Sequence, residues 1–404
     1  MQHQSQTYGI RDFYFWKITI SLALASFFIF ACMYSVQPLL PVFVTEFGVS
    51  ASESSLALSL TIVGLIAGLI ILGFLSDRMG RTLFIKLSLI GSIIPFLLIP
   101  LMDSFFILIV LRFIQGFALA GLPAASLAYI SEEIDRRSIG VATALYISSN
   151  ALGGMAGRVI TGYITDHYSW QIAFYTLAIV GVLILIAVSV MLPKSRFFQA
   201  DNLPFLKDME GFIFHLKNPA LRIVFGLGIV LQFSFSGLWT YLPFYLQEKP
   251  FFLSLHTISY TFFAYGLGVV GAPVAGWLAG VYGMRKIRLA GILVLTAGIF
   301  MTLSSSLILV IIGLCVTCLG FFTAHSLTAT SVSVQATHHK GSAASLYLVA
   351  YYIGVALGSS SLGPLWEYAG WIGLIGLIGI IPIAYILVVK IAFRYSGRKK
   401  DRSW

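Results

Sequence analysis

Charged and amide side chains are scarce in this 404-residue chain, so the few that interrupt its apolar stretches mark where chemistry can occur. Arg112, Gln115 and Gly116 stand together in one stretch, and Asn150 and Arg158 in another. A guanidinium in such a setting must find water, neutral acceptors or an anion, and defaults to a functional reading. His325 is the only histidine inside an apolar stretch, and its side chain is the one that changes charge near neutral pH. None of the 15 Asp and Glu lies in the middle of a stretch. The available acids are terminal: Glu46, Asp166 and the group Glu132, Glu133 and Asp135. This inventory suits binding of an anion and movement of a proton. Covalent catalysis needs a nucleophile with a base in reach, whereas His325 and Ser326 are consecutive and diverge by about 100° on a helix. No enzymatic activity is expected.

A second group stands between two stretches, Gly73-Phe74-Leu75-Ser76-Asp77-Arg78-Met79-Gly80-Arg81. Its glycines permit a tight turn, Asp77 suits the positive end of a neighbouring helix, and Arg78 and Arg81 favour the cytoplasmic side. Gly73, Asp77, Arg78, Gly80 and Arg81 are therefore expected to work as a gate. A worn copy, Gly276 to Lys286, follows at an offset of 203, with Gly280 in place of the Asp.

The elements that must position these groups follow from composition. The chain is 58% hydrophobic and 10% charged, with a mean hydropathy of +0.94, whereas soluble domains carry roughly 25% charged residues. Twelve apolar runs can be read: Ile18 to Val44, Leu56 to Leu75, Leu83 to Met102, Phe105 to Ile130, Ile139 to Ile164, Ile172 to Leu192, Leu221 to Leu246, Ile258 to Val281, Leu289 to Leu303, Leu307 to Ala329, Ala343 to Leu365 and Trp371 to Ile391. Runs of about 20 residues are what a bilayer demands of a helix. A membrane barrel would instead show short alternating segments.

The net charge of +10 has a positional cause rather than a nucleic-acid partner. With the N-terminus inside, 22 of the 25 Lys and Arg fall on the cytoplasmic side, Lys249 in an outer loop, and Arg112 and Arg158 within runs. This is the positive-inside pattern, and both termini are expected in the cytoplasm of a multi-pass inner-membrane protein. The start shows no cleavage site before a short apolar core, so no cleaved signal peptide is expected. Cys32, Cys315 and Cys318 all lie in apolar runs, and Cys315-x-x-Cys318 lacks the polar surround of a metal or redox site. They are read as packing residues, and no metal or cofactor is expected.

The chain repeats itself. Tyr146, Gly153, Gly157, Gly162 and Trp170 in the fifth run match Tyr347, Gly354, Gly358, Gly363 and Trp371 in the eleventh, all at an offset of 201. Leu40, Pro41 and Glu46 match Leu242, Pro243 and Glu248 at 202. Two six-helix bundles in parallel repeat follow, an all-α membrane fold with a pseudo-twofold along the membrane normal. The expected divisions are residues 1–192, a cytoplasmic linker 193–220, residues 221–393 and a basic cytoplasmic tail 394–404. Within the linker, the stretch PFLKDMEGFIFHL reads equally as an amphipathic surface helix or as a solvated linker with local turns.

The Gly73 to Arg81 loop closely resembles the G-x-L-[AS]-D-R-x-G-R signature of the major facilitator superfamily. Arg112-Phe113-Ile114-Gln115-Gly116 resembles the R-x-x-Q-G motif of its proton-coupled members. The fifth run resembles the glycine-rich span of drug:proton antiporters, although the Gly-Pro pair of that span is missing here and Gly363-Pro364 stands in the eleventh run instead. From MYSVQPLLPV through YISSNALGGMAGR to FFTAHS and SLYLVAYYIG the chain is similar to the YnfM-type branch of that superfamily. The resemblance implies alternating access, efflux of drugs or related small molecules with sensitivity to cationic dyes, and a proton as coupling ion. It further implies that Asp77 locks the inner face.

The reading is thus a secondary transporter, with proton-linked efflux set against uptake or exchange of a small organic anion, which two intramembrane arginines favour. A polytopic sensor would add a signalling domain of about 100 residues. Solute is expected against the first, fourth, seventh and tenth runs. The lining candidates are Tyr34, Gln37, Arg112 and Gln115, with Asn150 and Arg158 from the fifth run and Trp239 and His325 from the second half. Arg112 lies about 10 Å below Phe105 and Arg158 about 12 Å below Asp166, so they share a depth. A monomer in the bilayer, with a small solute as its partner, is expected.

Overall fold

A computed structural model describes residues 7–200, 205–336, 338 and 340–395, and these residues are helical with short connections. Residues 396–404 of the expected tail and 201–204 of the expected linker lie outside them. Eleven of the described helices are long and apolar enough to cross a membrane. A twelfth, Met284–Met301, occupies the place of the ninth run but carries Arg285, Lys286 and Arg288 in its first turns. It is the ninth span, and twelve spans agree with the twelve runs.

Proline and glycine divide several spans that read as single runs. The first is helical over Phe13–Tyr34, tightens to a 3-10 turn at Gln37–Leu39 and resumes at Leu40–Phe47. Pro38 has no N–H to give the preceding turn, which is why the ladder stops there. The fourth span breaks between Phe105–Leu119 and Gly121–Glu133, and the eighth passes through a 3-10 turn at Thr261–Tyr265. The last helix begins earlier than its run, at Gly363, and bends at Gly370, where φ is 59°. The linker does form a helix, Phe205–Lys217.

The chain divides into two compact units, Met1–Leu39 with Leu60–Asn202, and Leu40–Ser59 with Leu203–Trp404. The segment Leu40–Ser59 therefore packs with the second unit, a departure from a cut at the linker alone. It is tied there by the Ser52 N–H, which donates to Glu367 Oε1 at 3.0 Å.

In the first unit, Gly153 and Gly157 of the fifth span lie directly on the Phe27 and Ala31 carbonyls of the first, where a Cβ would clash. Gly116 lies on the Thr61 carbonyl of the second span in the same manner. Small residues let helix backbones approach this closely. Below them, the N-terminal segment is strapped to the connection after the fourth span. The Tyr8 N–H donates to Glu133 O at 2.8 Å and Asp135 N–H to Tyr8 O at 3.0 Å. Asp135 accepts the Ser138 N–H at 2.7 Å, which holds its carboxyl below the usual carboxylate range.

In the second unit, Gly354 and Gly358 of the eleventh span lie on the Ile229 and Phe233 carbonyls of the seventh. These carbonyls stand 202 residues after Phe27 and Ala31, and the glycines 201 after their partners. The repeat read from sequence is thus also a repeat of backbone contacts. The ninth and tenth spans pack through Gly291, Gly298, Gly313 and Gly320. A chain of rings fills the interior, with Phe235 stacked on Phe321 at 3.9 Å.

Candidate functional site

Arg112 is fully buried. Its NH2 donates to Met33 O at 2.9 Å and its NH1 to Cys32 O at 3.2 Å and to Gln115 Oε1. Cys32 and Met33 are in the last turn of the first helix, which ends at Tyr34 ahead of Pro38 and so leaves its last carbonyls outside the helical ladder. A cation at a helix C-terminus also meets the negative end of its dipole. Gln115 passes the network on, its Nε2 donating to Ser92 O at 2.7 Å. In this arrangement Arg112 and Gln115 hold the break in the first span together rather than present donors to a cavity.

Arg158 lies at the same break, 2% exposed. Its Nε donates to Gln37 Oε1 at 2.6 Å and its NH1 to the Gly154 carbonyl at 2.7 Å. The guanidinium carbon stands 4.1 Å from the centre of the Tyr34 ring, a cation–π contact. Thr161 Oγ1 donates to Ser35 O at 2.7 Å, taking another carbonyl of the broken turn. Tyr34, Gln37 and Arg158 meet at this break and Arg112 bonds Gln115 beside it, while Asn150, further along the fifth span, bonds Ser26. The role of Pro38 in creating acceptors for Arg112 was not read from sequence, although Pro38 itself was the signal.

Gly80 has φ 107°, a conformation glycine adopts without strain, and Gly283 repeats it at 93° in the second half. Asp77 pairs with Arg81 across the Gly80 turn between two helices. Arg81 also donates its Nε to Glu132 Oε1 at 3.1 Å, so the loop is tied to the end of the fourth span. Arg78 turns back, NH1 to Phe74 O at 2.9 Å. A Cβ at Gly73 would meet only Ala124, at ordinary contact distance. Glu133, buried beside Glu132, accepts the Ser195 hydroxyl at 2.9 Å and the Phe197 N–H at 3.1 Å. The Arg196 guanidinium lies 3.9 Å from the Tyr8 ring centre. The sequence showed the Glu132–Glu133 pair without its partners.

In the second unit Trp239 is fully buried among Phe262, at 5.0 Å between centroids, and Tyr265, at 4.8 Å. His325 is partly exposed. Its Nδ1 lies 2.9 Å from the Tyr347 hydroxyl, and its ring is parallel to Phe321 at 5.4 Å. Arg288, which the charge count placed on the cytoplasmic side, is instead buried one turn inside the ninth span, 5% exposed. Its NH1 donates to Ser331 Oγ at 2.7 Å. The sequence hid it behind Arg285 and Lys286, with which it reads as one basic cluster.

Comparison with known proteins agrees with this geometry. The family model described as Major Facilitator Superfamily matches residues 22–358. The chain is 34% identical over 359 residues to the uncharacterised transporter YybF of Bacillus subtilis, covering 89% of each. It is 33% identical to the inner membrane transport protein YnfM of Escherichia coli, covering 89% of this chain and 86% of that one. Among solved structures, a bacterial homologue of the human lysosomal transporter Spinster superposes with a TM-score of 0.76 at 16% identity, over 93% of this chain and 95% of that one. Twelve spans in two repeats, the Asp77 loop and matches of this length have one explanation: the chain belongs to the major facilitator superfamily and is a multi-pass membrane transporter of small molecules.

Proposed function

We propose that the chain is a proton-linked secondary transporter that exports small organic solutes by alternating access, and that these solutes carry a negative group. Arg158 carries the reading. Its guanidinium is buried inside the first unit, where it bonds the Gln37 amide and the Gly154 carbonyl and lies over the Tyr34 ring. No Asp or Glu stands in mid-span. A cation at such a depth costs several kcal/mol, and an anionic group on the solute offsets that cost. A carboxylate replacing Gln37 Oε1 turns a bond from a cation to a neutral amide into one between opposite charges, which is stronger. Export and proton linkage are supported by the glycine-rich fifth span and by the Arg112-Gln115-Gly116 motif. The arrangement proposed is a monomer in the inner membrane with cytoplasmic termini, gated at the inner face by the Asp77 loop.

Uptake or exchange of a small organic anion is the second reading, since the Arg158 charge serves either direction. Purified protein in vesicles, given an imposed pH gradient and a panel of labelled carboxylates and cationic dyes, tests both. Carboxylates should move against their gradient in exchange for protons, and Arg158→Gln should abolish this. Movement of carboxylate together with protons would select uptake. Transport of dyes alone, equal in wild type and Arg158→Gln, would overturn the anionic reading.

A further inference from the structure

Three spans of the second unit bring an ionisable cluster together. His325 and Ser331 come from the tenth span, Arg288 from the ninth and Tyr347 from the eleventh. The Tyr347 hydroxyl lies 2.9 Å from His325 Nδ1 and 3.4 Å from the His325 carbonyl. Tyr351, one turn further along the eleventh span, sets its ring 4.9 Å from the imidazole. Phe321, one turn before His325, stacks on it at an interplanar angle of 2°.

We propose that the His325–Tyr347 pair is the site that takes up and releases the coupling proton. The inference rests on the proton-linked reading given above. His325 is the only Asp, Glu or His in the middle of a span. A tyrosine hydroxyl donates to a neutral imidazole nitrogen and accepts from a protonated one. The bond therefore survives both states with a rotation of the hydroxyl alone. The faces of Phe321, Tyr347 and Tyr351 favour an imidazolium through cation–π attraction.

The groups facing His325 can be named span by span. The eleventh supplies Tyr347 and Tyr351 and the tenth Phe321, the three rings in contact with it. Behind Phe321 stand Phe235 of the seventh span and Phe322, with Tyr265 of the eighth against both. Arg288 of the ninth bonds Ser331, six residues further along the tenth. One proton enters from water on one side of the membrane, binds an imidazole nitrogen and leaves to water on the other.

The test compares two assays on protein in vesicles. Counterflow of a labelled solute needs the carrier but no proton gradient, whereas accumulation driven by an imposed pH gradient needs both. In His325→Gln the ratio of driven accumulation to counterflow should fall at least tenfold. Tyr347→Phe, which keeps the ring, should lower the same ratio. Wild-type ratios in both His325→Gln and Tyr347→Phe would overturn the proposal. Equal loss of counterflow and accumulation in both would also overturn it, leaving the cluster a packing element. Wild-type counterflow without any pH-driven accumulation would refute the proton-linked reading, and the proposal with it. Carboxylate-specific failure alone would touch only the choice of solute, since the ratio is read on any solute that moves.

Discussion

Exchanging Arg112 for valine, the residue at the equivalent place in the second half, Val316, isolates what the break in the first span requires. The substitution removes bonds to Cys32 O, Met33 O and Gln115. Cys32 O keeps the Ser35 hydroxyl, 2.9 Å away, so the loss falls mainly on Met33 O and Gln115. An unsatisfied buried polar group costs about 1–3 kcal/mol, and relief from burying a guanidinium returns part of this. A net loss of about 3 kcal/mol follows. The second half shows the remedy. Thr240 stands where Pro38 would repeat, and the seventh span runs unbroken from Pro219 to Gln247. Restoring the ladder with Pro38→Thr should therefore rescue Arg112→Val, with a coupling of at least about 1 kcal/mol between the two sites. Thermal unfolding of the purified protein in detergent, followed by tryptophan fluorescence, reads both effects. An Arg112→Val protein as stable as wild type would refute the reasoning. So would a Pro38→Thr change that helps wild type and Arg112→Val equally.

Asp77→Asn should leave membrane insertion intact and reduce turnover severely, since Arg81 keeps Glu132 but loses its second carboxylate; initial transport rates at equal membrane abundance decide it. Gly157→Leu should prevent assembly of the first unit and Gly358→Leu that of the second, because each side chain would enter a backbone carbonyl of the facing span; yield of folded protein on size-exclusion chromatography measures both. Glu133→Gln should free the segment at Ser195–Phe197 and raise the rate of trypsin cleavage after Arg196, because an amide oxygen holds the Ser195 hydroxyl and the Arg196 and Phe197 N–H groups less strongly than a carboxylate does.

The spans were legible because a bilayer imposes one requirement, about 20 apolar residues, on every crossing segment. The repeat was legible because Gly153 and Gly354, or Gly157 and Gly358, meet backbone, and backbone contact tolerates no side chain. Long-range partners were not legible. Arg112 reads as an isolated charge until the carbonyls freed by Pro38, about 75 residues earlier in the chain, are seen beside it. Arg288 reads as a topological base because its burial depends on where the ninth helix starts, and helix ends are the least certain feature of a sequence reading. The packing of Leu40–Ser59 with the second unit has no local signature, since it rests on pairings such as Ser52 with Glu367.

The two halves keep one frame and divide its chemistry. At the positions where glycine meets carbonyl the repeat is intact, because the distance between backbones fixes the residue. Around that frame the side chains part: Gln37 and Arg158 of the first unit correspond to Trp239 and Ser359 of the second, and Asn150 to Tyr351. Each change replaces an amide or a guanidinium with an aromatic ring or a small hydroxyl. Cationic and amide donors thus gather in the first unit, and stacked rings around His325 in the second. A duplicated frame need conserve only its spacing. One copy was free to acquire Arg158 and the other the His325–Tyr347 pair, and under the functions proposed above, attraction of an anionic group and carriage of a proton would fall to different units and be broken by different substitutions.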